Sequence, residues 1–104
     1  MLTRISFGTL AVTLAALIAA PAAAQDPDNG RRLAQRWCAE CHAVGAKPTR
    51  FRRAMPLAAI AAKDSLTTET LTAFLLLPHA TMSNLSLSRT DAEDLAAFII
   101  AMKK

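Results

Sequence analysis

Cys38-Ala39-Glu40-Cys41-His42 is the stretch on which the reading of this chain turns. Two cysteines three apart, with a histidine directly after the second, form the pattern for covalent c-type haem attachment. Two thiols at i and i+3 lie on one side of a helical turn and can add to the two vinyl groups of one porphyrin. His42 then falls beneath the ring, where its imidazole can ligate the iron. Two other readings compete. A thioredoxin-like dithiol expects a βαβ context, and no strand-like run surrounds Cys38. A structural zinc site needs about four ligands. The supply is Cys38, Cys41, His42 and His79, and adjacent Cys41 and His42 would chelate one metal poorly.

Outward from the motif, the first 24 residues read as a separate segment. Arg4 is the only charge before Asp26, residues 10–20 are apolar apart from Thr13, and Pro21 is followed by Ala22-Ala23-Ala24. A charged start, an apolar stretch and an A-x-A end make a secretory signal peptide, with cleavage expected after Ala24. The alternative is a retained anchor, since residues 5–24 are just long enough to span a bilayer. The domain proper is then residues 25–104. Export places both cysteines in an oxidising compartment, which points to the periplasm. Haem attachment gives the pair a better reason to exist there than a disulfide closing so short a loop.

The chain of 104 residues holds one domain at most. Large apolar side chains are few outside the leader: Trp37, Phe51, Phe74, Phe98 and scattered Leu and Ile. So small a core is marginal, and the chain without its haem is expected to fold poorly. Charge is uneven. Arg31, Arg32, Arg36, Lys47, Arg50, Arg52 and Arg53 cluster in residues 31–53 against Glu40 alone, whereas Asp64, Glu69, Asp91, Glu93 and Asp94 lie further on. Such a basic face would steer an acidic protein partner; its plainer reading is a solvated helix surface. Nucleic-acid binding fits poorly with export and with few aromatic residues.

Periodicity predicts an all-α fold, with no stretch alternating long enough for a strand. A first helix is expected over residues 30–41, capped by Asp28 or Asn29, with Leu33, Ala34, Trp37, Cys38 and Cys41 on its apolar face. Residues 43–53 read as a loop, and residues 55–62 as one or two helical turns. Thr67 or Thr68 can cap another helix, with Leu71, Phe74 and Leu75 as its buried stripe and Pro78 as its stop. A last helix begins at Ser88 or Thr90 and buries Leu95, Phe98, Ile99 and Met102.

An electron-carrying haem benefits from a second strong axial ligand. The candidates are Met55, Met82, Met102 and His79. Met102 lies on the apolar face of the last helix and Met55 in a short apolar run. Met82 follows a helix-stopping proline in an irregular segment, from which a loop could bring sulfur to iron. His79 would instead give a bis-histidine haem of lower potential.

On residues 38–42, 71–82 and 85–99 the chain resembles a small class I cytochrome c. The resemblance implies a small cytochrome c-like fold, with three to four helices packed around one covalently bound haem c. It implies thioethers at Cys38 and Cys41, with His42 as proximal and Met82 as distal iron ligand. Ser83 stands where many relatives carry a proline. It also implies that a loop proline, Pro56 or else Pro48, lends its carbonyl to the proximal imidazole, and that Gly30 packs against Phe98 where the first and last helices meet. Arg50, Arg52 and Arg53 are candidates for pairing the haem propionates. The function implied is electron transfer between redox partner proteins in the periplasm by a monomer. Such a carrier performs no catalysis of its own and meets a membrane only through its partner or an uncleaved leader. The alternative is a haem-bearing subunit of a larger oxidoreductase. An enzyme or gas sensor would need both Met82 and His79 off the iron.

Overall fold

The computed structural model describes residues 8, 11–16, 25–46, 53–77, 82 and 85–103. Among these residues there are four helices and no strand, so the chain is all-α, as its periodicity predicts. None of the helices is long and apolar enough to cross a membrane.

The first helix, α1, spans Pro27–Trp37 and starts earlier than the sequence suggests. Its cap is Asp26, whose Oδ1 accepts the backbone N–H groups of Asp28 and Asn29 at 3.0 and 3.1 Å. Pro27 explains the shift: its fixed φ suits the first helical position, where its missing N–H would have no partner anyway. The next helix, α2, is the single turn Leu57–Ala61, entered through Pro56. The third, α3, spans Thr68–Leu76. Thr67 caps it reciprocally with Thr70, each hydroxyl accepting the other's backbone N–H at 3.0–3.1 Å. The last, α4, spans Arg89–Ile100 and is capped by Ser88, whose Oγ accepts from the N–H of Asp91.

Helix α4 packs against each of the other three. One cluster results, built from Ala34, Leu57, Ala61, Leu71, Leu95, Ala96 and Ile99, with Leu33, Cys38, Phe98 and Met102 packed against its edge. Two expected core positions fall elsewhere. The buried line of α1 runs Gly30, Ala34, Cys38 at i, i+4, i+8, and Trp37, offset from it, is 49% exposed beneath the guanidinium of Arg36. In α3 it is Thr72 that is buried beside Leu71, while Phe74 is 50% exposed. Thr72 tolerates burial because its hydroxyl donates to the Thr68 carbonyl at 2.7 Å.

The crossing of α1 and α4 depends on two residues. A Cβ on Gly30 would meet the Asp94 carbonyl oxygen at 2.1 Å and the Phe98 Cβ at 2.8 Å. Gly30 therefore meets Phe98 as the resemblance implies, and the backbone of α4 as well. Asp94 itself is buried, and its carboxylate accepts the Asp26 N–H at 2.7 Å and the Asn29 carboxamide at 2.9 Å. Asp94→Ala leaves both donors short of their acceptor, a loss of about 1–3 kcal/mol. At roughly 4–8 °C per kcal/mol for a domain this size, the thermal midpoint should fall by about 10 °C. An unchanged midpoint in a calorimetric scan would show that water replaces the carboxylate without loss.

At the far end of α4, the Lys103 ammonium donates to the carbonyls of Lys63 and Leu66. It thus ties the chain's end to the connector between α2 and α3, rather than to the end of its own helix.

Candidate functional site

The motif begins where α1 gives way to a turn. The Cys38 N–H still donates to the Ala34 carbonyl at 2.9 Å, and the Cys38 carbonyl then accepts the N–H groups of both Cys41 and His42 at 3.2 and 2.9 Å. Cys38 and Cys41 therefore share one tight turn. Both are free thiols and both are half-buried. Burial pushes the Cys38 thiol above its ordinary pKa, which keeps it protonated.

Next to this turn, residues 54–57 return alongside residues 41–43. The Ala54 N–H donates to the Cys41 carbonyl, and the Leu57 N–H to the Ala43 carbonyl, both at 2.9 Å. Between these two bonds, His42 Nδ1 forms a short hydrogen bond with the Met55 carbonyl. A carbonyl only accepts, so Nδ1 carries the proton and Nε2 presents a lone pair. Held this way, the ring has the outer hydrogen bond that orients metal-binding imidazoles, and Nε2 is the nitrogen able to ligate a metal.

The acceptor corrects the expectation for Pro56 by one residue. The Pro56 carbonyl is already used by the N–H groups of Ala59 and Ile60, which begin α2. Pro56 acts indirectly: a residue before proline is held out of the helical region, so Met55 stays outside α2 and its carbonyl meets His42. Pro56→Ala should cost about 0.4–1 kcal/mol, chiefly by giving the unfolded chain more conformational freedom to lose on folding. It should also speed exchange of the His42 Nδ1 proton, followed by NMR in the reduced protein. A proton as slow as in the parent would show that the Cys41 and Ala43 bonds hold the loop by themselves.

Met82 is half-buried, in the segment between α3 and α4. Met102 packs against the core, which leaves it a structural role. Pro48, Arg50, Arg52, Pro78 and His79 lie outside the described residues, and Arg53 is exposed. The basic cluster is less bare than its stretch of sequence suggests. Arg31 pairs with Asp28 at 3.1 Å, and Arg32 approaches Asp26 at 4.0 Å. Both pairs are exposed and contribute little to stability, but they reduce the positive field of α1.

The part Met55 plays through its carbonyl, and the anchoring part of Asp94, escaped the sequence reading, which took Met55 only as a candidate ligand. The signal for Met55 was its place before Pro56. Asp94 reads as an ordinary polar residue of an amphipathic helix, and only the arrival of α1 makes it an anchor.

Residues 25–99 match the family described as cytochrome C oxidase, cbb3-type, subunit III. Cytochrome c-552 of Bradyrhizobium diazoefficiens is 37% identical over 97 residues, which is 92% of this chain and 93% of that protein. No solved structure matches.

Proposed function

This chain belongs to the cytochrome c family of that description, and from that premise we propose that it is a periplasmic electron carrier whose haem iron is held by His42 and Met82. The family's cofactor is covalently bound haem c, and its chemistry is haem-based electron transfer. The residues of the turn fit the cofactor: two free thiols, and beside them an imidazole with Nε2 open. The observation that carries the reading is the bond from His42 Nδ1 to the Met55 carbonyl, since it selects the ligating nitrogen before iron is considered.

Cys38 and Cys41 would hold the porphyrin through thioethers. His42 would supply a ligand made more basic by its outer bond, and Met82 a soft thioether that favours Fe(II). The exposed apolar end of α3, with Phe74, Leu76 and Leu77, precedes Met82 in the chain and would form the wall on that side. When bound, the haem supplies one-electron chemistry, and the protein contributes ligation and a dry surround. The donor and acceptor are proteins, met through the arginine-bearing surface of α1. The leader, residues 1–24, delivers the chain to the periplasm and is removed.

A second reading, a haem-bearing subunit of an oxidoreductase, is favoured by the family's description as an oxidase subunit. The near-equal length of the cytochrome c-552 relative favours the free carrier. Gel filtration of native periplasm, followed by haem colour, separates the two: a carrier elutes as a monomer.

The test of function is covalent haem. Protein made in a haem-attaching host should keep its colour through denaturing electrophoresis and show a sharp reduced α-band. The Cys38→Ala, Cys41→Ala double variant should lose both. Colourless parent protein holding zinc or free thiols would end the cytochrome reading.

A further inference from the structure

Removal of the leader after Ala24 leaves Gln25 as the first residue, and the following inference rests on that reading. Gln25 is exposed and lies just outside α1. Asp26, next to it, is fixed twice: its carboxylate caps α1, and its N–H donates to the buried Asp94 carboxylate. The peptide bond from Gln25 to Asp26 is thus anchored to α4. Among the described residues, no hydrogen bond engages the Gln25 side chain. The groove beside it runs along α3, from Thr68 and Glu69 to Leu76, and is closed on the other side by Arg89 and Glu93 of α4. The new terminus therefore lies directly before the start of α1, which carries partial positive charge. Arg89 and Glu93 engage each other at 3.0 Å, which leaves Glu69 as the acidic counterweight.

We infer that Gln25 is a modification site, at which the mature chain closes to a pyroglutamate terminus. The α-amine nitrogen attacks the side-chain carboxamide carbon. The new N–Cδ bond forms, the Cδ–Nε2 bond breaks, and ammonia leaves with a proton from the amine; nothing is oxidised or reduced. The two reacting groups sit on one residue and close a five-membered ring, so proximity favours the step. Both lie outside the hydrogen bonds that hold Asp26, so the product fits without loss of an anchor. Cyclisation also removes a cation from beside the positive end of α1.

Asn29-Gly30 is the other pair in this segment that could lose ammonia, by attack of the Gly30 nitrogen on the Asn29 side chain. The fold opposes it: the Gly30 N–H donates to the Asp26 carbonyl at 3.1 Å, and the Asn29 carboxamide is held by Asp94.

The test is intact-mass spectrometry of haem-loaded protein from the periplasm, for the parent and for Gln25→Ala, with the N-terminal peptide sequenced. The expected parent mass is that of residues 25–104 plus haem, less one ammonia, with the loss mapped to residue 25. Gln25→Ala should show a free amine and no such loss. A parent chain beginning at Gln25 with a free amine overturns the inference while the leader reading stands. Ammonia loss that persists in Gln25→Ala and maps to Asn29 also overturns it. A chain that keeps residues 1–24, or begins elsewhere, overturns the leader reading and the inference together, and its mass identifies it.

Discussion

Gly30→Ala is expected to lower the thermal midpoint of the haem-loaded protein by roughly 10–20 °C, taking about 4–8 °C per kcal/mol at this size. Two opposing terms decide the sign. Alanine is the better helix former, by about 1 kcal/mol inside a helix. Against this, the added methyl would lie 2.1 Å from the Asp94 carbonyl oxygen and 2.7 Å from its carbon. These are backbone atoms of α4, so no side-chain rotation relieves the clash. Helix α1 must move away from α4. Overpacking of this kind typically costs about 1–3 kcal/mol and sometimes more. The movement also stretches the bonds from Asp26 and Asn29 to Asp94, which adds to the loss. The net is a loss of about 2–3 kcal/mol, a large share of the stability of so small a domain. A midpoint equal to the parent's, or higher, in a reversible melt would mean that the helices separate freely at this crossing. Gly30→Ser, with a similar clash and a poorer helix former, should be at least as damaging.

Met82→Ala is expected to remove the weak long-wavelength ferric band of a methionine-ligated haem and to lower the reduction potential by on the order of 0.2 V, within the roughly 0.8 V that axial ligation spans. A thioether donates softly and stabilises Fe(II) more than Fe(III). Without it, water or a harder donor takes the sixth position, and the ferric state gains. The covalent attachment through Cys38 and Cys41 should survive, so the protein should remain coloured. That contrast separates a ligand change from loss of haem. An unchanged ferric spectrum would transfer the role to His79 or to another methionine. Met102 is the weaker substitute, because its side chain already packs against the cluster of Leu95 and Ile99. Met55 already serves through its backbone, whose carbonyl holds His42 Nδ1. Direct electrochemistry of the two proteins on one electrode measures the shift.

Much of the architecture was legible because its signals are local. Caps at Thr67 and Ser88 and the short helix after Pro56 follow from residues within one turn of each other. The misjudged boundaries and burials have equally definite causes. Pro27 moved the start of α1, a hydrogen-bonded Thr72 took a buried place, and Phe74 and Trp37 remained at the surface. An apolar stripe records only that a face is apolar. It does not say which neighbour covers each position.

What the amino-acid order determined by itself is the chemistry within residues 38–42. Two thiols three apart and an adjacent imidazole fall into one turn wherever that turn is helical, and their spacing needs no distant residue. What only tertiary structure decided is the state of that imidazole and the seat of its helix. His42 is oriented by the Met55 carbonyl, 13 residues away, and Asp26 is anchored by Asp94, 68 residues away. Both partners had no meaning until the loop returned and α4 crossed α1 at Gly30. Local bonds are specified by spacing along the chain. Contacts over such separations exist only once the whole set of helices has packed.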